Sequence, residues 1–276
     1  MSSLRDKTIF ITGSSRGIGR EIALRCARDG ARVVITGKTA EAHPKLPGTI
    51  HTVAEEVVQA GGEALAIQLD VRDEQAIHDA LEQAAAHFGG IDVLVNNASA
   101  IGLTPTLETT AKRLDLMWDV NMRATFFASQ ACIPHLKKAA NPHILMLSPP
   151  LNLEARWFAS HLAYTISKYG MSMCALGLAK EFAADGIAVN CLWPRTTIAT
   201  AAIEFNFPPE ILRASRKPAI VADAAHAILL RDSKTFSGHF FIDDEVIRAI
   251  GIKNLDQYAV TPGERLHGDL FLERGL

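Results

Sequence analysis

Short apolar runs alternate with helically spaced segments from Thr8 to Ile242, and this alternation limits the folds open to the 276-residue chain more than any other feature. Runs at 8–11, 32–36, 65–69, 91–95, 143–147, 187–191 and 238–242 read as strands, each short and apolar. Between them the apolar spacing predicts helices over about 18–29, 52–60, 73–88, 108–138, 160–184 and 220–231. Strands joined through helices pair in parallel by right-handed crossovers. The expected fold class is therefore α/β, a single-domain Rossmann-type doubly wound parallel sheet of about seven strands with helices on both faces. Strands that are apolar throughout suit a sheet covered on both sides. No linker rich in Pro, Gly or Ser divides the chain, so one domain is expected over 1–248. Two segments break the alternation. Residues 38–50 form a long connection with several turn formers, and the tail over 249–276 has weak periodicity suited to wrapping a surface or a neighbouring subunit.

Composition removes several function classes. Lysine plus arginine is 28 against 30 acids, a formal net charge of −2. That balance argues against a nucleic-acid or anionic-membrane surface as a partner. No uncharged apolar run reaches the roughly 20 residues of a spanning helix. Arg5, Asp6 and Lys7 interrupt what would be a signal-peptide core. Cys26, Cys132, Cys174 and Cys191 are far apart and sit in apolar segments, which favours free thiols in a reducing, cytoplasmic setting. The ten histidines form no spacing that suggests a metal site.

The first strand leads into Thr12-Gly13-Ser14-Ser15-Arg16-Gly17-Ile18-Gly19 and then the first helix. Glycines here permit positive φ and let backbone approach a pyrophosphate, whose charge is favoured at a helix N-terminus. The same glycines could form only a tight turn, but their place after the first strand of an alternating sheet favours a dinucleotide. NAD sites usually carry a carboxylate at the end of the second strand, about 20 residues past the glycines. This chain has Gly37-Lys38-Thr39 there, with Arg16 in the loop and Lys45 in the following insertion. Lys38, Arg16 and Lys45 would attract a 2′-phosphate. NADP is therefore expected over NAD, with NAD still open.

Tyr164 and Lys168, four residues apart in a helical segment, lie on one helix face. A fixed cation beside a phenol favours proton transfer near neutral pH, although the pair alone is also common as ordinary helix surface. Together, the glycine loop, Asn96-Asn97-Ala98-Ser99, Asn121, Ser148 and Y-x3-K at Tyr164/Lys168 resemble the short-chain dehydrogenase/reductases, in register over residues 7–245.

The resemblance implies roles. Tyr164 is the general acid in carbonyl reduction and the base in alcohol oxidation. Lys168 lowers the phenol's pKa and holds the nicotinamide ribose. Ser148 donates to the substrate oxygen, and Asn121 holds a water linking the lysine to solvent. Cofactor contacts fall at Gly13, Ser15, Arg16, Gly17, Ile18, Gly19, Lys38, Lys45, Asp70, Val71, Asn96 and Ala98, at Tyr164 and Lys168, and at Pro194, Thr196 and Ile198. A small-molecule carbonyl or alcohol substrate is implied, as is a homotetramer or dimer; Phe126, Phe127, Met171, Met173 and Leu176 are apolar beyond the apparent needs of one sheet face. Trp157, Phe158, His161, Trp193, Phe205 and Phe207 fall where the family lines its substrate site, suggesting a lipid-like or aromatic compound.

The chain also departs from the family pattern. Ser99 replaces a glycine, Ser148 and Tyr164 are 16 apart where the family has about 13, and Arg195 replaces the glycine after Pro194 with one extra residue before Ile198. Arg195 could approach a phosphate or point to solvent. Two other functions share parts of this pattern. A non-catalytic dinucleotide-binding scaffold would need only the loop. A sugar-nucleotide epimerase or dehydratase would share Y-x3-K but usually carries G-x-x-G-x-x-G and a larger C-terminal domain.

Overall fold

The computed structural model describes residues 3–42 and 47–273. In chain order the elements are β1 (Thr8–Ile11), α1 (Gly17–Ala27), β2 (Arg32–Gly37), α2 (Ile50–Gln59), β3 (Glu63–Gln68), α3 (Glu74–Phe88) and β4 (Val93–Asn96). There follow α4 (Ala111–Met117), α5 (Ala124–Leu136), β5 (His143–Met146), α6 (Arg156–Ala159), α7 (Leu162–Glu181) and β6 (Ala188–Trp193). The chain continues with α8 (Ala201–Asn206), α9 (Pro209–Arg213), α10 (Ala219–Leu229), β7 (Phe240–Ile242) and α11 (Asp243–Ala249). Among the described residues the strands form one seven-stranded parallel sheet in the order β3-β2-β1-β4-β5-β6-β7. This is the expected Rossmann-type arrangement. The order reverses between β1 and β4, and in such sheets a ligand crevice opens beyond the strand C-termini at the reversal.

Both faces of the sheet are covered, as the strand composition requires. Along β1, Ile9 and Ile11 pack on one side with Val33, Ile22, Val53 and Ile220, while Phe10 packs on the other with Val34, Ile77, Leu81 and Leu136. Period-two alternation of the strand sends neighbouring residues to opposite layers.

Several boundaries differ from the sequence-based expectations. The helix expected over 108–138 is interrupted by a π-helical stretch at Trp118–Arg123, between α4 and α5. Such bulges widen one turn and commonly fall at functional sites; this one carries Asn121 into the interior. Helix α2 starts at Ile50 rather than 52 because Thr49 caps it, accepting from Thr52 N while the Thr52 hydroxyl accepts from Thr49 N. The expected signal for such a box is Glu or Gln at the third helical position, and threonine there hides it.

The tail packs against the body of its own domain. Tyr258 donates to Asp223 Oδ2 at 2.7 Å, and Val260 N donates to Ser215 O. The chain then crosses the end of β6. Thr197 N donates to His267 O, Asp269 N to Arg195 O, and Trp193 Nε1 to Leu270 O at 2.9 Å. Phe271 is 1% exposed and sits among Tyr164, Tyr169, Trp193, Trp157 and His161, with ring centroids 5.3–6.2 Å from its own. Its φ of +71° is unusual for a bulky residue and is held by this packing. Replacing Phe271 by Ala should destabilise the protein by about 3 kcal/mol, because the ring would leave a cavity in a rigid aromatic cluster. Removing the fully exposed Leu107 side chain should change stability by less than about 0.5 kcal/mol. Urea unfolding of the two variants compares the effects directly.

Candidate active site

The loop between β1 and α1 is shaped by close approach. Gly13 and Gly17 have φ of +66° and +59°, conformations that favour glycine. A Cβ on Gly19 would lie 2.5 Å from Asn97 Nδ2 and 2.8 Å from Gly13 O, so only glycine allows helix and strand to pack this closely. Asn97 secures the loop in turn, its Nδ2 donating to Thr12 O at 2.8 Å and Gly13 O at 2.9 Å.

A cavity runs from this loop across the sheet edge. It is lined by Gly13, Ser15, Arg16, Gly17 and Ile18 of the loop, by Lys38 after β2, by Asp70 and Val71 after β3, and by Ala98 after β4. A second cavity shares Ile18, Asn97, Ser99, Thr200 and Ala202 with the first and extends to Tyr164, Lys168, Pro194 and Ile198. The two form one groove along the C-terminal ends of the strands. Its glycine cradle, which admits no Cβ on Gly13 or Gly19, and its charged outer edge fit a dinucleotide with its pyrophosphate at the start of α1.

The outer edge holds more charge than the sequence suggests. Lys38 pairs with Asp70 at 3.2 Å, and Arg72 also holds the Asp70 carboxylate. These cations, Arg72 first, keep the Asp70 carboxyl well below the usual carboxylate range. Arg16 turns toward the insertion, donating to Thr39 Oγ1 at 2.9 Å and to the carbonyls of Pro47 and Gly48. Lys45 lies outside the described residues.

The inner end of the groove is apolar and buried. Lys168 is 2% exposed; its Nζ donates to Leu147 O at 2.6 Å and lies 5.1 Å from the centre of the Trp193 ring. Among the described residues no carboxylate forms an ion pair with it, and burial pulls its pKa down to about 7. Tyr164 is 5% exposed, and burial pushes the phenol up, with the Asp269 charge adding to the shift. The resemblance implies a phenol lowered by the lysine. In this cavity desolvation raises it.

Four expected site residues point elsewhere. Ser148 is fully buried and its hydroxyl donates to Cys191 Sγ at 3.2 Å, while the preceding Leu147 faces the cavity and Lys168. Asn121 is satisfied by its own neighbours: Oδ1 accepts from Ala100 N at 2.7 Å, and Nδ2 donates to Ala100 O and Ser167 Oγ, both at 2.9 Å. Asn96 donates to Ser129 Oγ on α5 and leaves the groove wall to Asn97. Thr196 is buried in a bridge with Gly268 and leaves the cavity wall to Thr197. In the last two cases adjacent residues face opposite ways along extended backbone, so a one-residue choice decides which of them meets a ligand. Arg195 pairs with Asp244 at 3.0 Å and with Glu245 at the start of α11.

Sequence reasoning missed Arg72, Asn97, Thr200 and the segment His267–Leu270, all of which line the groove. Asn97 stands inside a motif already singled out and Thr200 lies two residues past Ile198, whereas nothing in the sequence ties residue 269 to residue 168. Of the six aromatic candidates, Trp193 and Phe207 line the cavity. Trp157, Phe158 and His161 instead pack around Phe271 and Tyr169, and Phe205 is 54% exposed. Among the described residues no cluster of His, Cys, Asp or Glu could hold a metal ion, and no helix is long and apolar enough to cross a membrane.

Comparison with known proteins agrees with this geometry. A short chain dehydrogenase family model matches residues 7–207. The chain is 58% identical over 266 residues to hydroxysteroid dehydrogenase-like protein 2 of Danio rerio, covering 96% of this chain and 64% of that protein. The human protein of the same name is 57% identical, with 63% of it covered. The chain thus spans a little under two-thirds of the length of these relatives and corresponds to their reductase domain. Among solved structures, a short chain dehydrogenase of Mycobacterium thermoresistibile is 48% identical with a TM-score of 0.93, covering 98% of this chain and 96% of that one. A 7α-hydroxysteroid dehydrogenase complexed with NADH and 7-oxo glycochenodeoxycholic acid is 27% identical with a TM-score of 0.75, over 87% of this chain and 93% of that one. The sequence motifs, the sheet order and these matches converge: the chain belongs to the short-chain dehydrogenase family of nicotinamide-dependent oxidoreductases.

Proposed function

We propose that this chain moves hydride between NADP(H) and a carbonyl or hydroxyl carbon of an apolar substrate, with Tyr164 as the proton donor and acceptor. One observation carries the reading. Tyr164 and Lys168 line the same cavity, at the end of the groove that begins at the glycine loop. The bound nicotinamide supplies the hydride chemistry. The chain's own residues orient, exclude water and move a proton. The backbone around Gly13 and Gly17 receives the pyrophosphate, Asp70 and Val71 flank the adenosine end, and Lys168 holds the ribose at the inner end. Tyr164 delivers its phenolic proton to the substrate oxygen during reduction and recovers it during oxidation. Ser148 and Asn121 act by positioning. Ser148 braces β5 against Cys191, and Asn121 pins Ala100 beside the groove.

The apolar wall supports a lipid-like or aromatic substrate: Ile101, Leu103, Trp193, Ile203, Phe207 and Leu270 face the reaction end. The hydroxysteroid-dehydrogenase names among the relatives agree with that class. Preference for NADP rests on Lys38 and Arg72, which hold the Asp70 carboxylate, and on Arg16, which lines the same outer cavity. Phe126, Met173 and Leu176 remain 43–55% exposed on α5 and α7, a surface suited to a dimer or tetramer, whereas Phe127 packs against the core and Met171 lies buried within it. The cytoplasm suits its buried free thiols. A non-catalytic scaffold is the second reading, favoured by the hydroxyl of Ser148 facing away from the cavity.

Tyr164→Phe should bind NADPH within about twofold of the parent yet lose at least about 100-fold in turnover of cyclic and aryl ketones. Unchanged turnover would remove the phenol from the chemistry. If the parent binds NADPH tightly but turns over no ketone in the panel, the scaffold reading is correct. Lys38→Glu should weaken NADPH binding about tenfold and spare or strengthen NADH binding, since the added carboxylate repels the 2′-phosphate and accepts from a free ribose 2′-hydroxyl. Fluorescence titration with both cofactors tests this.

A further inference from the structure

Asp269 is an ionisable group of the inner cavity that family-based roles do not use. His267–Leu270 cross the mouth of the inner cavity, so Asp269 lines the same space as Tyr164 and Lys168. The crossing is built rather than incidental. An antiparallel bridge joins Gly268 to Thr196, Asp269 N donates to Arg195 O at 3.0 Å, Trp193 Nε1 holds Leu270 O, and Phe271 anchors the far end. Asp269 Oδ1 accepts from Leu270 N at 2.7 Å, which leaves Oδ2 without a hydrogen-bond partner among the described residues. The cavity also lacks the hydroxyl that the Ser148 position would supply, because that side chain bonds Cys191.

We propose that Asp269, carried by the C-terminal strap 267–272, takes the part of the missing hydroxyl and donates a hydrogen bond from its carboxyl to the reacting oxygen of the substrate beside Tyr164. This rests on the function proposed above. In reduction the proton that moves to the substrate oxygen leaves Tyr164, while Asp269 keeps its own proton and shares it through the hydrogen bond. The role requires a neutral carboxyl near pH 7, and the surroundings favour one. Burial, joined by the nearby Asp243 charge, raises Asp269 to about 7 against the opposing pull of Lys168. The groups that face it are Lys168 and Tyr164 from α7, Asp243 from α11 and His267 from its own segment, with the Arg195 guanidinium occupied by Asp244 and Glu245. A neutral acid donating into an apolar cavity stabilises charge developing on the substrate oxygen, and removing one such donor costs about 10²–10³ in turnover.

Asp269 and Lys168 both lose their protons as pH rises through about 7, so an alkaline limb there belongs to one or the other, and the variants separate them. The full chain, Asp269→Asn, Asp269→Ala and Tyr164→Phe are compared with NADPH and a panel of cyclohexanone, 1-tetralone and acetophenone. Infrared difference spectra, which need no turnover, follow the protonated carboxyl of residue 269. Expected are a carboxyl band that titrates near pH 7 and vanishes in Asp269→Asn, and about 100-fold lower kcat in Asp269→Ala with NADPH affinity within twofold. Asp269→Asn keeps a donor in a side chain of the same shape, so it should stay within about tenfold of the parent and lose the alkaline limb near pH 7. Parental kcat in Asp269→Ala while Tyr164→Phe is inactive would overturn this role and leave the proposed function standing. So would an alkaline limb that survives, at pH 7 or shifted lower, in Asp269→Asn, since it would belong to Lys168. Full activity of Tyr164→Phe, or a parent inactive on every ketone, would defeat the proposed function and this role with it.

Discussion

The buried ammonium of Lys168 sets the arrangement around which the inner site is built. Removing an ammonium from water without a bonded carboxylate is costly unless other groups replace the water. Here the Leu147 carbonyl accepts at 2.6 Å, Met171 Sδ lies at 3.4 Å, and the face of Trp193 lies beneath the charge. Each contact has a consequence. Aiming the Leu147 carbonyl at the lysine leaves the Ser148 side chain against Cys191. Trp193, held over the lysine, offers its indole N–H to Leu270 O, which fastens the tail across the cavity. The aromatic cluster around Phe271 then encloses Tyr164 on the same helix as the lysine. Burial also accounts for the electrostatics, because it pulls Lys168 down and pushes Tyr164 up before any charged neighbour acts.

The outer half of the groove follows a different rule. It is partly solvated, and charge pairing rather than desolvation dominates. Arg72 and Lys38 share Asp70, and Arg16 is spent on the carbonyls of the insertion and on Thr39. A ligand there would meet cations already partnered, so its affinity reflects an exchange of partners rather than a gain of free charge. The same exchange logic explains Arg195, which fills the position of a family glycine without entering the groove because three acids at the start of α11 hold it.

Much of the fold was legible in the sequence. Apolar runs flanked by turn residues located the strands within a few residues, and the glycine loop located the groove, because both depend on local backbone preferences. The π-helical stretch at Trp118–Arg123 was not legible, since its spacing reads as ordinary helix and the widening accompanies Asn121's bonds to a distant loop. At the site, Tyr164, Lys168, Ile18, Pro194 and Ile198 line one cavity. Asn97 and Thr197 line it while Asn96 and Thr196 face away, because a one-residue step in extended chain reverses the face. Ser148 was identified by motif alone. Its orientation was decided by the carbonyl beside it.

The sequence by itself determined the class of fold, the dinucleotide-type loop and the helical pairing of a phenol with an ammonium, because all three are written in short-range spacing. Tertiary structure decided which side chains face the groove, which charges are spent on one another, and that a tail of weak periodicity returns to place Asp269 and Phe271 beside the lysine. Those outcomes depend on burial and on contacts between segments a hundred residues and more apart, and desolvation has no meaning until the chain has closed around the group that loses its water.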